Sequence, residues 1–537
     1  MKKIFTRFAF TVLTTGAFLS TQAQGFVKTI DNGGDEYGNV VNVADGSNYI
    51  VAGSTSKAGA GSYDAMLLKI DSAGNALWEK QFGGAGFDAG RYALHTSDGG
   101  YLLVGSSSSY GSSSDVFVVK TDADGNLSWS KTFGTDSSDT GFRAAEGSDG
   151  YLIGGQTYGA AAPNNTRADM FLAKIDLTGT LVWSKSYGSQ FGNENLRDIV
   201  YIGPEWAVVG NSTLGLVGAS DGIFFVIDSA GAVVGNFLAG GTSDDDFRAL
   251  IPGADGAYII GSTRSYGVTG DDISVTKYNV GGGVPTHAWV KTYGLPNGSE
   301  SVTSAKLIPD ENQILISGLL TGNGYPADEG FLLLVDTGGT PLIGKEIGST
   351  GSEVIMDIAF NHGMIGIGYT NSYGGTQNDV LAISVDQTGN APCAISNVTF
   401  PVVTQHDSAI GPVIAEYNTL DLPVTATTVN ATANGYTQTM KDVCNPNAIA
   451  EVNNSMSFEV YPNPATDVVN VTVYSQTNTE AQISICNYMG QAVQSFNAGI
   501  TTGKNSFTLN LGNLSSGMYY VRINNAGNQV VKPFVIN

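Results

Sequence analysis

Charge is scarce in this chain of 537 residues: Asp, Glu, Lys and Arg together make up 14%, against about a quarter in ordinary soluble domains. That scarcity argues against a helical bundle, whose exposed faces need Lys and Glu. Basic residues are scarcer still, 25 against 48 acidic ones, for a formal net charge of −23. A chain so acidic repels phosphate backbones, which excludes nucleic acid as a partner. Three cysteines and four histidines show no metal-ligand spacing, so neither a metal nor another cofactor is expected. Long apolar runs are missing as well. The stretch Phe8–Leu19 has 12 residues, too few for the roughly 20 that span a bilayer, and no transmembrane segment is expected.

What the chain has instead is glycine, 71 residues of it, and 42% hydrophobic residues. Short strands and tight turns suit that mixture. Lys2, Lys3 and Arg7 precede the Phe8–Leu19 stretch, and Thr21-Gln22-Ala23 offers small residues at the −3 and −1 positions. This is the pattern of a signal peptide, residues 1–23, cleaved before Gln24. Its loss makes the chain three units more negative. Export permits disulfides. Cys393 and Cys444 bracket one segment and are paired on that ground, while Cys486 falls in an apolar strand pattern as a buried thiol.

Residues 26–392 repeat one unit seven times. Asp122 of Asp115–Gly134 recurs as Asp71, Asp176, Asp228, Asn279, Asp336 and Asp386, at steps of 51, 54, 52, 51, 57 and 50 residues. Asp64, Asp115, Asp169, Asp221, Asp272 and Asp379 lie seven residues earlier. Each unit reads as four strands. The first is polar. The second, such as Tyr101–Gly105, is apolar on both faces and suits a strand sandwiched between sheets. A D-x-x-G turn joins the third to the fourth, its aspartate accepting turn N–H bonds and its glycine taking positive φ. The fourth carries Trp78, Trp129, Trp183 and Trp289, then Lys and an aromatic at period two, as in Lys131 and Phe133. Period two puts these on one face, read as packing between units. A lysine on an outermost strand also deters edge-to-edge pairing.

A four-stranded unit of about 50 residues predicts a β-propeller of seven blades over residues 24–392. Phe26–Ile30 matches the fourth strand, so the N-terminal strand is expected to complete the last blade. The D-x-x-G-to-tryptophan hairpin resembles the repeats of pyrroloquinoline-quinone-type propellers, a resemblance that covers half of each blade and carries over no quinone site. Arg91, Arg143, Arg197 and Arg248 recur on first strands, as ion pairs between blades or as a charged ring around the channel.

Residues 393–453 lose the repeat and read as a linker or a small disulfide-closed β insert. From residue 454 onward, six or seven short alternating strands suggest an Ig-like sandwich. Here Tyr461-Pro462-Asn463-Pro464, then Met489-Gly490-Gln491, then Gly517, Tyr519 and Val521 in an L-S-S-G-x-Y-x-V pattern, then Lys532 before an apolar end, follow in order. In these motifs, residues 454–537 closely resemble the type A C-terminal sorting domain of the Bacteroidetes type IX secretion system. The resemblance implies passage through the periplasm, engagement of the type IX machinery as partner, and display on the cell surface or release.

No catalytic residue is identified. Gly218–Gly222 matches G-x-S-x-G but lacks the strand-to-helix context. Asp122–Asn126 lacks the further ligands of a calcium loop. Asp244–Asp246 and the pair Asp271-Asp272 are expected in loops. Irregular blades are the places to look for a site: Trp206 in the fourth, Gly281–Thr286 in the fifth. The expected function is a secreted or cell-surface module, non-catalytic, binding a glycan or protein ligand. The alternative is a polysaccharide-active hydrolase or lyase with its site at one mouth of the propeller.

Overall fold

The computed structural model describes residues 25–537 except 58–60, 159–166, 190–191, 214–219, 254–255, 267–269, 280–285, 309–311, 323, 326, 350, 362, 373–377, 387–388, 390, 406–408, 411–417, 422–424, 430, 436–438, 444–455, 476–477, 488–491, 513 and 526–527. The signal peptide, Cys444, Met489-Gly490-Gln491 and most of Gly281–Thr286 therefore lie outside the described residues. The chain divides into two compact units, Met1–Cys444 and Asn445–Asn537. All described secondary structure is β, in antiparallel sheets.

The first unit holds seven five-stranded sheets. Sheets 1 to 6 each begin with four consecutive strands, their first strands being Glu36–Val43, Asp88–His95, Asp139–Gly147, Glu194–Tyr201, Asp245–Gly253 and Gly298–Ile308. Sheet 7 combines Glu353–Phe360, Met364–Thr370 and Asp379–Val385 with the N-terminal strand Phe26–Asp31, which pairs with Asp379–Val385. Second strands such as Tyr101–Ser107 are buried along their whole length. Their alternate residues serve different neighbours. Tyr101 and Leu103 pack with sheet 1, and Leu102 and Val104 with sheet 3. Seven apolar clusters arise this way, each drawn from two successive sheets, and one of them joins sheet 7 back to sheet 1.

The fourth strands and the turns lock these contacts. In the turns, Asp71, Asp122, Asp176, Asp228 and Asp336 each accept N–H bonds from residues two and four positions on. The turn of one sheet seats on the Trp-Lys-aromatic face of the sheet before it. Lys131 donates to the Gly179 carbonyl, and Tyr187 and Tyr293 donate to those of Gly231 and Gly339. Gly179 sits at φ +77°, and a Cβ there would meet the Trp129 ring at 2.9 Å. Gly179→Val is thus expected to cost about 1–3 kcal/mol, measurable by urea unfolding.

Within the segment 393–453, read above as a linker or small insert, residues 395–442 add a fifth strand to every sheet of this unit. Ile395–Asn397 pairs with sheet 6 and Val402–Gln405 with sheet 5. Ala409–Ile410, Asn418–Asp421, Thr425–Thr428 and Thr432–Gly435 follow on sheets 4, 3, 2 and 1. Thr439–Asp442 ends on sheet 7, against the N-terminal strand. This belt runs against chain order and covers each fourth strand. The lysines there, such as Lys131 opposite Thr428, are therefore not edge guards. They reach instead to the next sheet's turn.

The second unit has a three-stranded sheet (Met456–Tyr461, Val468–Ser475, Gly503–Asn510) and a four-stranded one (Thr479–Cys486, Ala492–Ile500, Gly517–Asn525, Asn528–Ile536). Both feed one core that includes Val469, Val471, Ile483, Val521 and Phe534. Cys486 is a buried free thiol.

Candidate functional site

Seven equivalent backbone bonds join the sheets of the first unit. The acid at or near the start of each first strand donates its N–H to the residue just before the previous sheet's third strand, at 2.6–2.9 Å: Asp88 to Tyr63, Asp139 to Ser114, Glu194 to Ala168, Asp245 to Ser220, Glu300 to Asp271, Glu353 to Asp328, and Glu36 to Asn378. That register sets two carboxylates face to face at every junction, all of them buried except the half-buried Asp115. The third-strand acids are Asp64, Asp115, Asp169, Asp221, Asp272, Glu329 and Asp379. Asp64 and Asp88 close around Gly83, as Asp221 and Asp245 do around Gly240. Hydroxyls at the end of the second strand hold the first-strand acid: Ser107 and Ser109 on Asp88, Thr263 and Ser265 on Asp245, Thr370 on Glu353.

Burial, reinforced by the facing acid, pushes these groups up. Asp64 and Asp115 rise to about 6, Glu36 and Glu329 to about 7, and Glu300 to about 8. At the junction of sheets 7 and 1, Asp31, Glu36 and Asp379 each bring an oxygen within 4.8 Å of the others. An all-oxygen set of this kind could hold a hard cation. Asp245 and Asp272 are thus buried strand residues, not loop acids, and Asp221 of the G-x-S-x-G match is a junction acid. Asp244 and Asp271, beside them, both pair with Arg264.

The first strands touch one another in closed succession, and each carries a β-bulge at one place: Asn39, Arg91, Phe142, Arg197, Arg248, Thr303 and Met356. Arg143 is therefore not the equivalent of the other three arginines. It stands one position later, because Phe142 takes the bulge. Arg143 pairs with Asp198 of the next sheet at 3.8 Å, and Arg197 with Asp246 of the next sheet at 3.4 Å. Arg248 shares Asp246 at 2.7 Å within its own sheet. Lys306 reaches Asp357 at 4.0 Å, and Asp357 also accepts the Val41 N–H of sheet 1. Burial lowers the Lys306 pKa, but the charges of Asp357, Tyr92 and Asp198 outweigh it, for a net rise. Groups from sheets 2, 4, 6 and 7 thus converge on one interior. Trp206, singled out as irregular, is instead buried against Tyr201, their rings 4.6 Å apart.

In the second unit the Y-P-N-P residues grip the final strand. Both X-Pro bonds, before Pro462 and Pro464, are cis. Asn463 Oδ1 accepts the Val535 N–H at 2.9 Å, Ala465 N–H donates to the Val535 carbonyl, and Asn537 N–H donates to that of Ala465. The Tyr461 hydroxyl lies 3.0 Å from that of Thr472. The Tyr519 ring lies tilted against that of Phe534, their centroids 6.1 Å apart, Val521 is fully buried, and Lys532 lies over the Phe458 ring. Gly490 lies outside the described residues.

Residues 459–537 match the family described as the secretion system C-terminal sorting domain. That tail indicates a protein secreted to the cell surface or beyond, and it implies interaction with the type IX machinery. No curated protein matches the chain. Among solved structures it aligns with an acylaminoacyl peptidase of Pyrococcus horikoshii, at 9% identity and a TM-score of 0.37, over 84% of this chain and 57% of that one. It also aligns with dimeric latent PorU of Porphyromonas gingivalis, at 13% identity and a TM-score of 0.14, over 69% of this chain and 31% of that one. The chain spans less than two thirds of either protein, and neither likeness carries weight for fold or function. No helix among the described residues is long and apolar enough to cross a membrane.

Proposed function

We propose that the chain is a surface-delivered binding or adhesion module: a seven-bladed β-propeller, its outer edge closed by residues 393–443, followed by an Ig-like sorting sandwich. A signal peptide of residues 1–23 starts the route through the periplasm. The observation that carries the reading is the sorting-domain match, which stands behind a separate unit of seven like sheets. Seven shared cores and seven junction bonds, the last returning to sheet 1, support the propeller. Asp198, Asp246 and Asp357 are engaged between or within sheets rather than set in an acid–base pair, which favours binding over hydrolysis. Its ligand is a glycan or protein of the surroundings. Cys393 is disulfide-bonded while Cys486 is free, which supports Cys444 as the partner in a chain of three cysteines.

Deleting residues 445–537 is expected to hold the protein in the periplasm, read by fractionation and surface proteolysis. Normal display of the truncated protein would remove the sorting role. The binding role is tested apart from it, by screening the first unit against polysaccharides and glycoproteins.

A further inference from the structure

Arg91 stands at the bulge of sheet 2, half-buried. Its guanidinium lies 5.5 Å from the centre of the Phe142 ring on sheet 3. Its Nε has no partner, and the side chain makes no hydrogen bond or ion pair among the described residues. A ring satisfies none of the five N–H donors of a guanidinium. At the same bulge position, Arg197 and Arg248 share one carboxylate, Asp246, which lies two residues before the bulge of sheet 5. The positions related to Arg91 in that way are Ala89 in its own sheet and Thr140 in the next. Neither is acidic, although the chain has 48 acidic residues against 25 basic ones. Beside it, Arg143 lies over the Tyr92 ring at 5.3 Å. Each guanidinium thus lies on the other sheet's aromatic ring, but only Arg143 has a carboxylate, Asp198, within ion-pair reach.

We propose that Arg91 anchors an oxyanion site, taking a carboxylate or a sulfate or phosphate group in the place that Asp246 fills for Arg197 and Arg248. A planar fork of N–H donors matches two oxygens of such a group. A half-buried cation whose Nε is shut off from water and which has no counter-ion is costly to keep, and a ligand anion relieves that cost. Burial also pulls the Arg91 pKa down, with no acid to oppose it. The inference rests on the binding reading only in making that ligand part of a larger molecule, such as a uronate or sulfated glycan.

Thermal unfolding of the full chain tests it, in chloride and in sulfate, phosphate or oligogalacturonate at matched ionic strength. Wild type is expected to gain about 1–3 °C with an oxyanion. Arg91→Gln should melt higher than wild type in chloride, since it removes an uncompensated charge, and should gain nothing from oxyanions. Arg197→Gln should melt lower and keep the gain. An equal gain in wild type and Arg91→Gln, or a lower melting point for Arg91→Gln in chloride, overturns the site. A gain with sulfate but none with oligogalacturonate upholds the site for small or sulfated anions and removes the uronate glycan as its source.

Discussion

Between pH 5 and pH 9 the first unit is expected to lose stability steeply, with a fall in Tm of about 10 °C or more. The cause is the set of facing acids. In the folded chain Glu36 and Glu329 titrate near 7 and Glu300 near 8, against 4.5 for an ordinary glutamate. Burial disfavours their charged forms, so the folded state keeps protons that the unfolded chain has already released. The stability tied to them is fully present below the unfolded value and drains away as pH rises through the folded one. One pKa unit is about 1.4 kcal/mol, so a few such groups outweigh much of an ordinary domain's margin. The turn acids act oppositely. A hydrogen bond from Lys69 holds Asp45 below its usual range, and that contribution is lost only as pH falls past it. Maximum stability should therefore lie near pH 4–6. Glu300→Gln keeps the shape without the charge. It should change little at pH 5 and raise stability at pH 8 by on the order of 2 kcal/mol, read by urea unfolding at the two pH values. A flat profile from pH 5 to 9 would mean that the facing acids are neutralised by something other than protons.

Cutting the chain after residue 392 is expected to turn a monodisperse protein into an aggregating one, while a chain ending at residue 443 stays monomeric. Six fourth strands and the N-terminal strand carry the belt as their last hydrogen-bonded neighbour. Without it, seven edges lie open, and an open edge recruits strands from other molecules. Tyr187 and Thr132, now paired with Thr419 and Thr427, would lie on such edges. Light scattering of the two truncations in the same buffer reads the difference. Equal, monomeric behaviour would reduce the belt to a passive covering.

What could be read in advance followed the spacing of the residues involved. The D-x-x-G turns were legible because an aspartate can accept from residues two and four positions on only at a fixed offset. The Trp129, Lys131 and Phe133 face was legible through period two. The junction acids were half legible. Asp64 and its equivalents keep a constant distance from the turn, whereas their partners are Asp in some sheets and Glu in others, after loops of variable length. Arg143 resembles Arg91 in the repeat but stands four residues after Asp139 where Arg91 stands three after Asp88, and only the pairing shows that Phe142 takes the bulge. The belt escaped notice for a different reason. Its strands are two to four residues long, and each finds its partner far away in the chain, so no local period betrays them. In the tail, Tyr461–Pro464 were recognisable as a motif, but nothing in the sequence places Asn463 on the N–H of Val535.

The N-terminal strand lies between two strands made much later. Phe26 pairs with Ser384, and Lys28 with both Ala382 and Asp442. Closing a loop of roughly 360 residues costs about 5 kcal/mol of chain entropy before any contact repays it. High contact order of this kind makes for slow folding. Residues 26–31 must wait, unpaired, until almost all of the first unit has been synthesised and exported. The last sheet to form is thus the one that uses the earliest strand of the first unit, and the belt then pairs with that strand's other edge. A chain arrested before residue 385 stays open at this seam, and one arrested before residue 439 leaves the N-terminal strand as an uncovered edge. Completion of the fold therefore reports that the whole first unit has arrived.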